Sequence, residues 1–233
     1  GDWSSDVCSS DLEAVNDLAS SVGLKVPNDN AQKKTNTSET QSLEEILNKA
    51  NLFYQKKLRD SKEAIEYLKK RGLTGQVAKA FSIGFAPEGW SNFSDQFSSK
   101  DEEILIKAGL AQKNQQNKLY DRFRNRIMFP IINEKGVVIG FGGRVINPED
   151  TPKYYNSPET PLFQKSYELY GLASARKSIR ENHSVLVVEG YMDVVALAQH
   201  GVRNAVATLG TATTSFHIKK LMRYTQEIIF CFD

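Results

Sequence analysis

Cysteine is almost missing from this chain: Cys8 and Cys231 are the two present in 233 residues. They lie far apart, and neither has a second Cys or a His at ligand spacing. A zinc ribbon and a disulfide framework are therefore excluded within the chain, and a reducing cytoplasm fits. Histidine is scarce as well. His183, His200 and His217 stand apart, suggest no triad or metal site, and read as surface or helix-end residues. No apolar run approaches the ~20 residues of a membrane helix, and no signal-peptide pattern is present. A P-loop, a Rossmann glycine fingerprint and a nucleophile elbow are also lacking. Nor does one sign of charge dominate. Thirty Lys and Arg against 28 Asp and Glu leave +2, so global charge argues neither for nor against a polyanionic partner.

What is there is clearest between Val185 and Asp233. Val185 to Val188 is a short apolar, β-branched run that suits a strand covered on both faces, and Glu189-Gly190 breaks it. From Tyr191 to Gln199 the period becomes helical, with Tyr191, Val194, Val195 and Ala198 on one face and Gly201 as a stop. Ala205 to Thr208 reads as a second strand, Ser215 to Tyr224 as a second helix, and Ile228 to Phe232 as a third strand ending at Asp233. Strand, helix, strand, helix, strand with short connections predicts a parallel α/β sheet, whose ligands sit beyond the carboxyl ends of the strands. Glu189 and Asp233 fall there. Asp193, four residues after Glu189, lies on the same side of the first helical turn. Either acid could instead serve only the helix N-terminus.

The remainder predicts a mixed helical and β-hairpin body, making the whole α+β. Residues 1–11, GDWSSDVCSSD, lack periodicity and are read as a non-native leader. Residues 12–26 form one amphipathic helical pattern. Residues 27–41 hold no large apolar residue and read as a flexible linker. The folded body then begins at Ser42, with Glu45 completing a capping box and Leu43, Ile46, Leu47, Ala50 and Phe53 on one helix face. Further helices carry Ala64, Ile65 and Leu68, then Val77, Ala80 and Phe81 behind a Thr74 cap. Ile83 to Pro87 reads as a turn of the chain, Ile104 to Leu110 as a short helix, and Ala111 to Lys118 as a polar loop. Ile127–Ile132 and Val137–Ile146 form a hairpin around Glu134-Lys135-Gly136. Domain boundaries follow at 42–180 and 181–233.

Local charge says more than the total. Residues 118–180 hold 11 Lys and Arg against 6 Asp and Glu, with Tyr120, Phe123, Phe129, Phe141, Tyr154 and Tyr155 interleaved. Such a stretch is either a solvated surface over core aromatics or a nucleic-acid face. Arg71, in the last turn before Gly72, is favoured there by the helix dipole without any ligand. Gly142-Gly143 before Arg144 signals a bulge or a close backbone approach, and the same absence of side chains would let a phosphate backbone near Arg144. Thr151 to Phe163 reads as irregular, and its Lys153, Tyr154 and Asn156, with Lys165 beyond, are ordinary surface residues in isolation.

EGYMDVVALAQHG, AVATLGTATT and FCFD together closely resemble the Toprim core of bacterial DnaG-type DNA primases. YDRFRNRIMFPI, GVVIGFGGRVI and PKYYNSPETPLFQKSYELYGL resemble the same family in the same order, so the likeness covers roughly residues 12–233. It implies a primase RNA polymerase core, a DNA-dependent RNA polymerase making short primers on single-stranded template from nucleoside triphosphates. It further implies that Glu189, Asp233 and Asp193 hold Mg²⁺ or Mn²⁺, and that Arg71, Arg144, Lys153, Tyr154, Asn156 and Lys165 face nucleic acid or nucleotide. Residues 12–26 would end a zinc-binding domain, so zinc is expected only in that preceding domain. A replicative helicase would be met through a further C-terminal domain. The resemblance fits a cytoplasmic monomer with no membrane partner. The acidic corner taken alone also allows another Toprim activity, a nuclease or topoisomerase. A third reading is a catalytically incomplete module that only binds template, since the chain reaches just the first aspartate of the family's Asp-x-Asp.

Overall fold

The computed structural model describes the backbone of residues 29–232, with side chains from Ser38 onward. The expectations for residues 1–11, for the helical pattern at 12–26 and for Asp233 lie outside the described residues. Residues 40–233 form one compact unit. Among the described residues no helix is long and apolar enough to cross a membrane.

Helix α1 runs from Asp29 to Asp60, so the backbone at 29–41 is helical where composition predicts a linker. No Pro or Gly interrupts that stretch. Once the buried stripe Leu43, Ile46, Leu47, Ala50, Tyr54 and Leu58 has nucleated the helix, propagation toward Asp29 costs little per residue. α2 (Lys62–Lys70) starts at Ser61, whose Oγ accepts from the Ala64 N–H, and α3 (Gly75–Ala80) starts at Thr74, which accepts from Val77. Ile83–Pro87 is a strand rather than a simple turn. Its β1 (Gly84–Ala86) pairs antiparallel with β4, a long-range partner that a local pattern cannot reveal. α4 covers Glu102–Lys107. The polar loop after it contains β2 (Ala111–Lys113), which pairs with β3 (Leu119–Asp121) in a separate two-stranded ribbon.

The expected hairpin is present as β4 (Arg126–Ile132) and β5 (Val138–Val145). With β6 (Tyr154–Asn156), inside the segment read as irregular, they complete a sheet ordered β1-β4-β5-β6. A register shift falls between Ile131 and Ile132, while Gly142 and Gly143 stay in regular register with both neighbours. The paired glycines are thus not a bulge.

α5 (Leu172–Asn182) leads into the parallel sheet of β7 (Ser184–Val188), β8 (Ala205–Ala207) and β9 (Glu227–Cys231), ordered β8-β7-β9. Helix α6 (Tyr191–Gln199) connects β7 to β8, and α7 (Ser215–Leu221), shorter than the expected Ser215–Tyr224, precedes β9. Because β8 lies on one side of β7 and β9 on the other, strand order reverses at β7. The crevice of such a sheet opens at the carboxyl ends of the strands there. Val185, Val187 and Val206 bury one face against Leu172, Ala175 and Ile179. On the other face Val188 and Ala207 join Tyr191, Val194 and Val195 in a cluster that also takes in Ala64 and Leu68 of α2 and Phe129 and Ile131 of β4. The parallel sheet and the antiparallel one therefore share a core.

Candidate active site

The acidic corner forms where β7 runs out. Val188 is paired with Cys231 at the ends of the adjacent strands β7 and β9. Glu189 follows, exposed at the switch-point crevice, and Gly190 turns the chain into α6. The Gly190 N–H donates to Asp193 Oδ2 at 3.0 Å, so this carboxylate caps the helix with one oxygen. Asp193 is exposed as well. Among the described residues no cluster of three or more His, Cys, Asp and Glu is formed. Two exposed carboxylates four residues apart at a strand end nonetheless supply the hard oxygen donors that magnesium or manganese prefers.

Across from this corner lies a knot of tyrosine, arginine and asparagine. β5 and β6 pair Gly142 with Asn156, Gly143 with Tyr155 and Arg144 with Tyr154. Arg144 is 6% exposed. Its Nε donates to the Tyr67 hydroxyl at 2.5 Å and its Nη1 to the Tyr154 hydroxyl. Arg71 lies over the Tyr67 ring, with Cζ 5.6 Å from its centroid. Burial raises the Tyr154 phenol above its usual range; Arg144 and Arg71 pull it down, while Asp193 and Tyr67 push it up. Arg144 Cζ also lies 4.9 Å from the Tyr154 ring centroid. Lys153 is exposed, its Nζ 5.9 Å from the same ring centroid.

Asn156 is committed at both ends of its amide. Its Oδ1 accepts from the Tyr191 hydroxyl, and its Nδ2 donates to the Leu209 carbonyl at 2.8 Å. It braces β6 against the parallel sheet. Tyr191, first residue of α6, is buried and stacked on Phe129 with 5.5 Å between centroids. Gly142 is a glycine because that ring lies on it, leaving no room for a Cβ. The close approach that the paired glycines signal is therefore made by a side chain of α6. Lys165 is anchored separately. Its N–H donates to Glu159 Oε1 at 3.1 Å, and its carbonyl lies 3.0 Å from His217 Nε2. His217 itself is fully buried, not a surface residue, because Thr214 and the Lys165 loop enclose it.

A second group is not assigned by sequence reasoning. Arg122, Arg124 and Arg126 alternate along the segment from β3 into β4. Arg124 stacks with Cζ 3.8 Å from the centroid of Trp90 and 5.3 Å from that of Tyr120. Arg122 lies 4.3 Å and Arg126 5.6 Å from the Tyr155 centroid. Trp90 is 65% exposed. Asp121 braces the Trp90 loop: its N–H donates to the Trp90 carbonyl, and its buried carboxylate accepts from Phe93 and Ser94 N–H groups at 2.7 and 2.9 Å. Burial holds that carboxyl above its ordinary pKa, against those hydrogen bonds. Arg124 Nη1 and Arg122 Nε are buried donors without a hydrogen-bond partner. Stacked guanidinium planes beside an exposed indole suit the bases of a single strand. The Arg-x-Arg-x-Arg spacing is the available sequence signal, while Trp90 lies too far upstream to be joined to it.

The comparisons agree with this architecture. Residues 183–233 match the model of the Toprim domain, which sets the class of the parallel sheet and its acidic corner. Residues 53–176 match the model of the DNA primase catalytic core, N-terminal domain. The chain belongs to the DnaG-type DNA primase catalytic core family. It is 50% identical over 211 residues to a DNA primase of Legionella pneumophila, covering 90% of this chain and 36% of that protein. A solved DnaG primase catalytic domain bound to ssDNA superposes with a TM-score of 0.79 at 49% identity, covering 84% of this chain and 64% of that one. A primase domain from Pseudomonas aeruginosa gives 0.77 at 51% identity, covering 81% and 60%. The chain spans about a third of the length of the curated primases it matches.

Proposed function

We propose that this chain forms the template- and nucleotide-binding core of a primase, in which a DNA-dependent RNA polymerase makes short RNA primers on single-stranded DNA. The observation that carries the reading is the convergence on Tyr154: its hydroxyl accepts from Arg144, and its ring lies 6.2 Å from that of Tyr191, first residue of the helix that Asp193 caps. Nucleotidyl transfer needs that juxtaposition, because a 3′-hydroxyl attacks the α-phosphorus while negative charge builds on pyrophosphate.

Glu189, Asp193 and Asp233 would hold the divalent cation, Mg²⁺ or Mn²⁺. A bound cation supplies activation of the attacking oxygen and neutralisation of the leaving group. Arg71 and Lys153 offer exposed cationic heads for phosphate. Arg144, held by two hydroxyls, contributes a fixed positive field from behind Tyr154. Asn156 keeps β6 and the acidic corner in register. Lys165 adds a point charge from its anchored loop. The Trp90–Arg124 stack carries the template through base stacking and phosphate contacts without reading its sequence. A helicase partner, a monomeric state and a cytoplasmic setting complete this reading.

The test is incorporation of labelled ribonucleotides on a single-stranded DNA template by a chain continued past Asp233. Template-dependent short RNA products are expected. DNA cleavage or strand passage in their place would shift the reading to another Toprim enzyme. Template binding with no product would leave a binding module.

A further inference from the structure

Lys165 is fixed through its backbone on both sides, and most of the fixing comes from a distant helix. Its N–H donates to Glu159. Its carbonyl faces His217 Nε2 at 3.0 Å, and the next carbonyl, Ser166, accepts from Thr214 Oγ1 at 2.7 Å. Thr214 Oγ1 also accepts from the His217 N–H, and the Thr214 N–H donates to His217 Nδ1, both at 3.2 Å. With a donor facing Nδ1 and a carbonyl facing Nε2, the imidazole is held as the Nε2–H tautomer. The two contacts within residues 214–217 suffice to cap α7. The contacts to Lys165 and Ser166 reach across 52 and 48 positions of sequence and add nothing to the helix. Lys220 extends the latch, with Nζ 2.9 Å from Glu168 Oε2.

We infer that His217 and Thr214 are positioning residues that set where Lys165 presents its ammonium group, and so tune affinity for the triphosphate of a nucleotide. The inference rests on the reading of Lys165 as a nucleotide contact. A buried histidine wedged between a helix cap and a loop carbonyl fixes the loop's backbone against α7. A side chain with four rotatable bonds then starts from one Cα position instead of several.

The experiment uses the full chain with Mg·ATP as probe, measuring ATP affinity, single-stranded DNA affinity and thermal midpoint. Lys165→Ala should weaken ATP binding about tenfold, the range of one charge-assisted contact. His217→Asn, which loses the Nε2–H donor, should weaken it about three- to tenfold with DNA affinity unchanged. His217→Gln, which carries an N–H donor toward the Lys165 carbonyl, should return affinity to within about twofold of the parent. Thr214→Val should follow His217→Asn, which tests the latch without altering the imidazole. The decisive variant is Lys165→Ala/His217→Asn, expected to bind ATP no more weakly than Lys165→Ala alone. If His217→Asn weakens binding equally with and without Lys165, or not at all, the positioning role is overturned. If Lys165→Ala has no effect, the reading of Lys165 fails first and the inference falls with it.

Discussion

Tyr191 lies on Gly142 so closely that a methyl group at position 142 would fall inside the van der Waals envelope of the phenol ring. The same phenol donates to Asn156 Oδ1, so one residue of α6 packs on β5 and hydrogen-bonds β6.

Gly142→Ala should consequently destabilise the chain by about 1–3 kcal/mol, the usual cost of overpacking a filled core. Removing the ring in Gly142→Ala/Tyr191→Ala should recover part of that loss. Denaturant midpoints of the four combinations give the coupling directly. Strict additivity would mean that the contact is not the cause.

Trp90 and Arg124 should weaken single-stranded DNA binding in different ways. Trp90→Ala loses stacking, about 1–3 kcal/mol per base, with the salt slope unchanged. Arg124→Ala loses a cation, so the slope of log affinity against log salt should shallow by about 0.7. Titrations at several salt concentrations separate the two. If both variants behave like the parent, the template path lies elsewhere.

Glu189→Gln, in a chain continued past Asp233, should abolish primer synthesis and leave DNA affinity and thermal midpoint unchanged. Its side chain is exposed and contributes no core packing, so on the proposed reading the change removes a metal ligand and nothing structural. Full primer yield at saturating Mg²⁺ would sink the assignment.

His217 gives a pH dependence with a definite sign. Burial lowers its pKa below the ordinary 6.5, the Lys165 carbonyl opposes this, Lys220 adds to it, and Glu168 opposes it. With the folded value depressed, the unfolded chain binds more protons in the window between the two values. The stabilisation is complete above about 6.5 and is lost as pH falls through the folded pKa. Denaturant midpoints at descending pH should therefore drop faster for the parent than for His217→Gln. Parallel curves would show that the imidazole titrates as an exposed one.

The strands and helices around Glu189 were legible because each is short, apolar and punctuated: Val185–Val188, the Tyr191 helix and the Glu134-Lys135-Gly136 turn all match the local pattern. β1, β2 and β6 were not. Three residues each, they are strands by virtue of partners 6 to 44 residues away, and no period of two can show in three residues. Helicity at 29–41 was hidden for the opposite reason, since a stretch without large apolar residues takes its helicity from the buried stripe that comes after it. Among the site residues, Glu189, Asp193 and Lys153 lie exposed where a ligand could meet them. Arg144 and Asn156 proved to be engaged inside the molecule, and composition cannot tell a buried arginine from a surface one. Trp90 was invisible because its ladder is assembled by Asp121, 31 residues further on.

The hydrophobic cluster running from Ala64 and Leu68 through Phe129 to Tyr191, Val194 and Val195 also limits what the cleft can do. Swinging the acid-tipped sheet away from the arginine-bearing one would tear that cluster open, and apolar surface brought into water costs about 25 cal/mol per Å². On the proposed reading the two sheets then act as one body. Their spacing is set at folding, so a bound strand would have to conform to it whatever its sequence. With the Lys165–Glu168 loop latched to α7 as well, any adjustment falls to what binds there.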